Sequence, residues 1–208
     1  MTVKAIVIIV LCVAIVYLLY LAFRKKGPAK GVSKTKSLAD LTVVDATLGD
    51  VLTIQGAGDD FDDMSFTVDR RHRYESDGEE SFELSGKYRN RRIYLAFCED
   101  DELEVLLMST PKLTIEDIGV TEQALVEMDE KPSTANSISY NNDTWRYESS
   151  NEVGFFKDGQ GTGEGYYNWE FVNSDGRQKL IIEKWVREPF EARIADKIAP
   201  SDILVFRA

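Results

Sequence analysis

The chain has 208 residues, and its 25 Lys and Arg against 36 Asp and Glu give a formal net charge of −11. A balance this acidic argues against nucleic acid as a partner, because contacts to phosphate need Lys and Arg side chains. The two cysteines, Cys12 and Cys98, are too few for a disulfide framework, which excludes the class of small disulfide-bonded secreted domains.

The first feature along the chain is an apolar segment, residues 5–23, that contains no charged residue, glycine or proline. In a helix its 19 residues span roughly 28 Å, which is close to the ~30 Å hydrocarbon core of a bilayer. Lys4 is the one basic residue in the short flank 1–4 before this segment, and no small-residue cleavage site follows it. A cleaved signal peptide is therefore disfavoured. The sequence therefore predicts one retained transmembrane helix.

Charge on the two sides of this segment predicts its orientation. Three basic residues, at positions 24–26, follow it directly and three more lie in the linker 24–41, whereas Lys4 alone precedes it. The positive-inside rule then places the C-terminal domain in the cytoplasm. Small and basic residues dominate the linker, which is typical of a flexible tether that lies on anionic lipids. We therefore expect the bilayer as a partner, through residues 5–23 and this basic tether.

The rest of the chain, residues 42–208, is predicted to form an acidic, mostly-β soluble domain. Seven of the 25 basic residues lie before residue 37, whereas all 36 acidic residues lie after it. Residues 37–208 therefore carry 18 basic and 36 acidic residues, a net charge of −18. Short runs rich in β-branched and aromatic residues, separated by turn residues such as Asp77-Gly78, predict many short strands. One helix is expected near residues 115–128, where apolar residues recur at roughly helical spacing.

An internal duplication is the most informative pattern in this domain. The tetrapeptide Arg-Tyr-Glu-Ser occurs at residues 73–76 and again at 146–149. Further along, at an offset of 87, the segment around Phe82 aligns with the segment around Trp169. Because side chains alternate between the two faces of a strand, equal spacing predicts that Phe82 and Trp169 occupy matching buried positions.

The duplication predicts the architecture of the domain. We expect two pseudo-symmetric antiparallel β-meanders, about 46–112 and 113–208, packed together because one meander cannot bury its apolar face alone. A short motif with a central aspartate, at Asp50, Asp117 and Asp202, recurs where strands are expected to begin. Its aspartates are predicted to cap backbone N–H groups of a turn rather than to bind a ligand.

These motifs resemble a bacterial domain family of unknown function. The resemblance rests on Asn-Trp-Glu-Phe at 168–171, Leu-Ile-Ile-Glu-Lys-Trp at 180–185 and Pro-Ser-Asp-Ile at 200–203, and it covers most of residues 42–206. Members of that family tend to be encoded beside small membrane proteins, polyamine-synthase-like enzymes and phage-shock-type membrane-stress proteins. The resemblance implies a role at the bacterial inner membrane, with another inner-membrane or stress-response protein as partner, but it assigns no catalytic residue.

No catalytic, cofactor or metal site is predicted from the remaining motifs. His72 is the only histidine, so it can form neither a triad nor a zinc site, and it is interpreted as a solvated turn residue beside three arginines. The acidic segment 59–63 lacks the spacing of a calcium-binding loop and is interpreted as an exposed hairpin, pinned to the core by Phe61 and Met64.

The glycine-rich segment Gly159–Gly165 is interpreted as a mobile β-hairpin. A phosphate-binding loop would end in Gly-Lys-Ser/Thr, whereas this segment contains Glu164. Whether it serves a function is left open.

Two glutamates, Glu83 and Glu170, occupy equivalent positions of the duplication. They form either an acid–base pair or ion pairs with basic residues on the next strand, such as Arg92 and Lys179. We favour ion pairs. The tryptophans are interpreted as core residues; they are Trp145, Trp169 and Trp185.

These observations favour a non-enzymatic, membrane-tethered cytoplasmic adaptor without cofactor or metal. The alternative is a binding domain for a cationic small molecule such as a polyamine, because a strongly negative domain concentrates cations around it. A hydrolase that uses Glu83 and Glu170 is a third and weaker hypothesis.

Overall fold

The computed structural model describes residues 40–207, which form a mostly-β domain with one helix. Its elements, in chain order, are β1 (Val51–Ile54), β2 (Met64–Thr67), β3 (Arg70–Ser76), β4 (Glu79–Tyr88), β5 (Arg91–Glu99), β6 (Leu103–Met108), α1 (Glu122–Glu130), β7 (Ser137–Tyr140), β8 (Asp143–Phe156), β9 (Glu164–Val172), β10 (Gln178–Trp185), β11 (Phe190–Lys197) and β12 (Ile203–Phe206).

Eight of these strands close into one antiparallel barrel. Strands β3 to β6 form one four-stranded meander and β8 to β11 form another. The meanders are joined at both edges, because β6 pairs with β11 through Leu107 and Asp196, and β3 pairs with β8 through Tyr74 and Phe155. Closure satisfies the backbone groups that two separate meanders would leave unpaired along their edges.

The predicted architecture of two meanders packed together is therefore wrong, since the meanders meet edge to edge. The two halves also differ in detail. Phe82 is half-buried and pairs with Phe97, whereas Trp169 is buried and pairs with Ile182. An offset of 87 would pair Trp169 with Lys184, so the second register is shifted by two residues. Such a shift preserves the face of each side chain but not its position. The duplication itself stays a prediction.

The apolar cores of the domain lie on the outside of the barrel. A separate three-stranded sheet, in the order β12-β1-β2, packs its buried residues, such as Leu52 and Phe66, against Leu84 and Leu95 of the barrel. We call this cluster the first outer core. Its sheet crosses β4 so closely that a Cβ on Gly86 would lie 2.3 Å from the carbonyl oxygen of Thr67, which explains the glycine.

A second outer core covers the other half of the barrel. Leu125 of α1 and Ile138 of β7 pack with Trp169, Phe171 and Leu180 of the barrel wall. The neighbours of these wall residues in sequence point the opposite way, into the barrel, because side chains alternate along each strand. The barrel wall is therefore apolar on its outer face in both halves.

The single helix begins later than predicted. It spans Glu122–Glu130 rather than 115–128, and the Thr121 hydroxyl accepts a hydrogen bond from the Ala124 N–H at its N-terminus. The segment before it is a turn because Gly119 has a left-handed φ of 70°.

The predicted role of the recurring aspartates is confirmed at two of the three positions. The carboxylate of Asp50 accepts the Thr47 N–H at 2.8 Å, and that of Asp117 accepts the Thr114 N–H at 2.8 Å. Each aspartate thus closes the turn that leads into the following segment.

The predicted localisation requires a correction. Between residues 40 and 207, no helix has the length and apolar character needed to cross a membrane. A single-pass protein of the bacterial inner membrane is therefore not supported. The predicted helix 5–23, the flank 1–4 and the linker as far as residue 39 lie outside the described residues.

Candidate functional site

The interior of the barrel is a cavity of about 390 Å³. Seven of its eight strands contribute side chains to the lining, mostly at every second residue, as the alternation of a barrel wall requires. The lining includes the exposed Asp77 of the β3–β4 turn and the exposed Glu79 at the start of β4, so the cavity reaches the surface there. The volume is typical of a site for a small molecule.

Acidic side chains dominate the lining of this cavity. Within the described part of the chain, the lining has no lysine or arginine but contains seven carboxylic acids, which are Asp77, Glu79, Glu80, Glu83, Glu104, Glu170 and Glu183. Basic residues approach some of these acids from the barrel wall and divide them into two clusters. Such a concentration of one charge sign in a concave site attracts cations.

The first cluster, here the lysine cluster, has a lysine at its centre. The Lys179 ammonium lies 3.0 Å from the carboxylate of Glu104 and 3.1 Å from those of Glu148 and Glu170, with only 10% of its side chain exposed. Lys197 binds Glu104 from the other side at 3.0 Å. The predicted pair of Glu170 with Lys179 is confirmed.

The carboxylates of the lysine cluster keep its central ammonium charged. Burial alone would lower the pKa of Lys179, but the three carboxylates outweigh it and raise that pKa. Burial would likewise raise the pKa of Glu104, yet Lys179 and Lys197 hold it below its ordinary value. The lysine cluster is therefore a set of ion pairs with its own cation in place.

The second cluster, here the Glu83 cluster, holds two acids and one arginine. Glu83 is only 8% exposed and interacts with Arg193 and Glu183, and the Tyr74 hydroxyl lies within hydrogen-bonding reach of it. Burial raises the pKa of Glu83 to about 7, and the charge of Glu183 adds to the effect while Arg193 opposes it. Burial and these acids also raise the pKa values of Tyr74 and Tyr166.

The predicted partner of Glu83 was wrong. Arg92 lies near Asp69 and binds both of its carboxylate oxygens, at 2.7 and 2.8 Å. Glu83 thus has no adjacent-strand cation of the kind that Lys179 provides for Glu170.

An unpaired acceptor lies beside the Glu83 cluster. Asn168 is 7% exposed, lines the cavity and is the cross-strand neighbour of Glu183. Its amide nitrogen donates to Glu170 at 3.2 Å, but its buried carbonyl oxygen Oδ1 meets no donor among residues 40–207. A buried acceptor without a donor is costly, so this oxygen is suited to receive an N–H or O–H of a ligand.

Apolar side chains separate the two clusters along the cavity wall. Leu106, Met108 and Ile181 line the cavity and belong to one small apolar cluster with Ala195. The cavity therefore offers acidic groups together with a surface for methylene or ring carbons.

Aromatic rings pack beside the Glu83 cluster. Tyr166 stacks on Trp185 with ring centroids 4.3 Å apart, and Phe155 contacts both Trp185 and His72. Of the three tryptophans, Trp145 and Trp169 lie in the second outer core as predicted, whereas Trp185 is in this ring group.

The prediction that His72 is a solvated turn residue was wrong. It is buried on β3, its Nδ1 accepts the Asp158 N–H at 3.0 Å, and burial lowers its pKa. His72 is thereby tied to Asp158 in the connection between β8 and β9. Residues 159–163 of the glycine-rich segment lie in this connection, and Glu164 and Gly165 begin β9.

The acidic segment 59–63 connects β1 and β2 away from the cavity. Met64 is buried as predicted, but Phe61 is 91% exposed and does not pin the loop. Asp59 binds Arg89 and Arg91 instead. In residues 40–207, no group of histidine, cysteine or acidic side chains is arranged to hold a metal ion.

The functional residues that the sequence reasoning missed are inward-facing polar residues within apolar strands. The missed residues are Glu104, Asn168 and Glu183, which line the cavity beside Glu83 and Glu170. Alternation of apolar and acidic residues, as in Ile182-Glu183, is also typical of strands with one face in solvent. The available signal was that acids recur on the inner face of several strands, because Glu104 and Glu170 follow the same alternation.

Comparison with known proteins gives a family but no activity. A family model described as "Domain of unknown function (DUF4178)" matches residues 48–200, which is most of the chain. The match agrees with the resemblance to an uncharacterised domain family. No curated protein and no solved structure matches the chain.

Proposed function

Since the chain belongs to this DUF4178 family, we propose a function from the barrel itself: the domain binds a small organic cation, such as a polyamine, inside the cavity. The observation that carries the proposal is the composition of the lining, which has seven carboxylic acids and, among the described residues, no basic side chain. A cation enters such a site with a favourable electrostatic energy that a neutral or anionic molecule lacks.

The rest of the lining favours an organic cation over a bare metal ion. A hard metal ion needs several oxygen ligands converging on one point, and Lys179 already occupies the point where Glu104, Glu148 and Glu170 converge. The apolar wall formed by Leu106, Met108 and Ile181 suits the carbon chain of an amine. The unpaired oxygen of Asn168 suits its N–H groups.

Calorimetry of the full-length chain with spermidine tests the proposal. Binding is expected to persist at ~0.15 M salt, because a buried site is screened much less than surface charge. Glu183→Gln, inside the cavity, should weaken binding at least about tenfold. The matched control is Glu122→Gln, which removes a charge from the exposed end of α1 and should leave affinity unchanged. Loss of all binding at ~0.15 M salt, or equal effects of the two variants, contradicts the proposal.

A second candidate function is an adaptor that binds a partner protein. The supporting observation is β12, which is an edge strand in the small sheet and exposes the large apolar side chains Leu204 and Phe206. An exposed apolar edge can pair with a strand of another protein. Crosslinked capture with the full chain should then recover a partner that Phe206→Asp loses, whereas Thr67→Asp on the opposite edge retains it. A partner recovered equally by both variants contradicts this second candidate.

A further inference from the structure

We propose that a proton on Glu83 and a bound cation exclude each other. The cavity then binds the cation more tightly as pH rises, and binding releases a proton. The inference rests on the proposed function and adds the regulation of the same site. It depends on the arrangement of charges around Glu83.

Glu83 lies where the strands of both halves face one another across the barrel. Glu83 is buried and lines the cavity together with Tyr74 of β3 and Glu183 of β10. These two residues and Arg193 of β11 act on its ionisation. The charged or titratable groups that face it are Tyr74 and His72 of β3, Tyr166 of β9, Glu183 of β10, Arg193 of β11, and Lys112 after β6.

These groups leave the Glu83 cluster one positive charge short. Two acids, Glu83 and Glu183, face the guanidinium of Arg193, which also stacks over the Tyr94 ring at 4.6 Å. The other cation near Glu83, Lys112, is already bound to Glu191. One acid can ionise against Arg193 while the other needs either a proton or a second cation. The lysine cluster differs because Lys179 and Lys197 are already present there.

A ligand ammonium group can supply that second cation. Asn168 is the cross-strand neighbour of Glu183, and within the described part of the chain its buried Oδ1 has no donor. An ammonium placed between Glu183 and Glu83 would donate to both carboxylates and to this oxygen, and the Glu83 proton would leave to solvent. The exchange keeps the charge of the cavity constant.

Other groups in the cavity do not account for such a proton. Burial holds the pKa of His72 below its ordinary value, so it is uncharged above neutral pH. Tyr74 and Tyr166 have raised pKa values and stay protonated, and Lys179 stays charged. Glu83, with its pKa raised to about 7, is the group that changes between pH 6 and 8.

The first test is calorimetry of the full-length chain with spermidine at ~0.15 M salt, in two buffers of different ionisation enthalpy. At pH 7 we expect release of roughly half a proton per bound cation, and affinity that rises about tenfold from pH 6 to pH 8. Binding with no proton release overturns this inference and leaves the proposed function standing. Absence of binding at every pH overturns both.

A matched pair of variants assigns the proton to one residue. Glu83→Gln and Glu183→Gln each remove one acid from the same cluster. Glu83→Gln should abolish the proton release and the pH dependence. Glu183→Gln removes a charge that raises the pKa of Glu83, so it should weaken binding and move the pH dependence to lower pH without abolishing it. Thermal melts at each pH establish that both variants are folded. Equal pH dependence in Glu83→Gln and the parent chain overturns the inference.

Discussion

The two acidic clusters inside the barrel use the same residue types in opposite ways. In the lysine cluster, a buried ammonium lies among three carboxylates, so each acid is paired and the pKa of Glu104 is lowered. In the Glu83 cluster, a single Arg193 faces two acids, and burial raises the pKa of Glu83 to about 7. Cations already in place make the lysine cluster structural, whereas our proposal assigns the response to pH and ligand to the Glu83 cluster.

Removal of the central ammonium should have the largest effect. Lys179→Met leaves three facing carboxylates in a buried site without their cation and should destabilise the fold by roughly 3–5 kcal/mol. The control is Lys184→Met, which removes an ammonium from the same strand, β10, where it binds the carbonyl oxygen of Glu188. Chemical denaturation at pH 7 measures both. A Lys179→Met protein as stable as the control would show that the lysine cluster does not hold the barrel together.

Neutralisation of Glu83 should raise the free energy of unfolding, whereas Lys179→Met lowers it. A raised pKa means that folding favours the protonated acid, so its stabilisation is complete below the ordinary pKa of 4.5 and is lost as pH rises through about 7. Glu83→Gln mimics the protonated acid and should therefore stabilise the protein at pH 8 by about 3 kcal/mol, with little difference near pH 4. Unfolding curves at the two pH values measure this. Destabilisation at pH 8 would contradict it.

The contribution of Glu104 to stability should depend on pH in the opposite direction to that of Glu83. Its pKa is lowered in the fold, so its stabilisation is present above the ordinary value of 4.5 and is lost as pH falls through its folded value. Because its side chain is more than a third exposed, we expect Glu104→Gln to cost only about 1 kcal/mol at pH 7. Urea denaturation at pH 7 and at pH 3 should show this difference disappear in acid.

The smallest effect is expected at Glu191, which the predicted offset of 87 aligns with Glu104. Glu191 binds Lys112, whose side chain is half exposed. Surface ion pairs of this kind contribute ~0–1 kcal/mol, so Glu191→Gln should change the melting temperature very little. A loss equal to that of Glu104→Gln would mean that the two positions share one environment.

Sequence reasoning reached the strand content and the ion pair of Glu170 with Lys179, because both depend on local alternation and near neighbours. It did not reach the closed barrel, since nothing local indicates that β3 pairs with β8. Nor did it reach the Glu83 cluster, because Arg193 comes from a strand that is neither adjacent to β4 in sequence nor paired with it. Alternation indicates two faces but not which one meets water.

Closure of the barrel also bears on how the chain folds. The pair Tyr74 and Phe155 joins residues 81 positions apart in sequence, so we expect the seam between β3 and β8 to form late in folding. Contacts of such long sequence separation slow folding, because loop entropy is lost before they stabilise anything. Until the seam forms, each meander presents a free edge able to pair with another chain, so the slowest step of folding is also the one most exposed to aggregation.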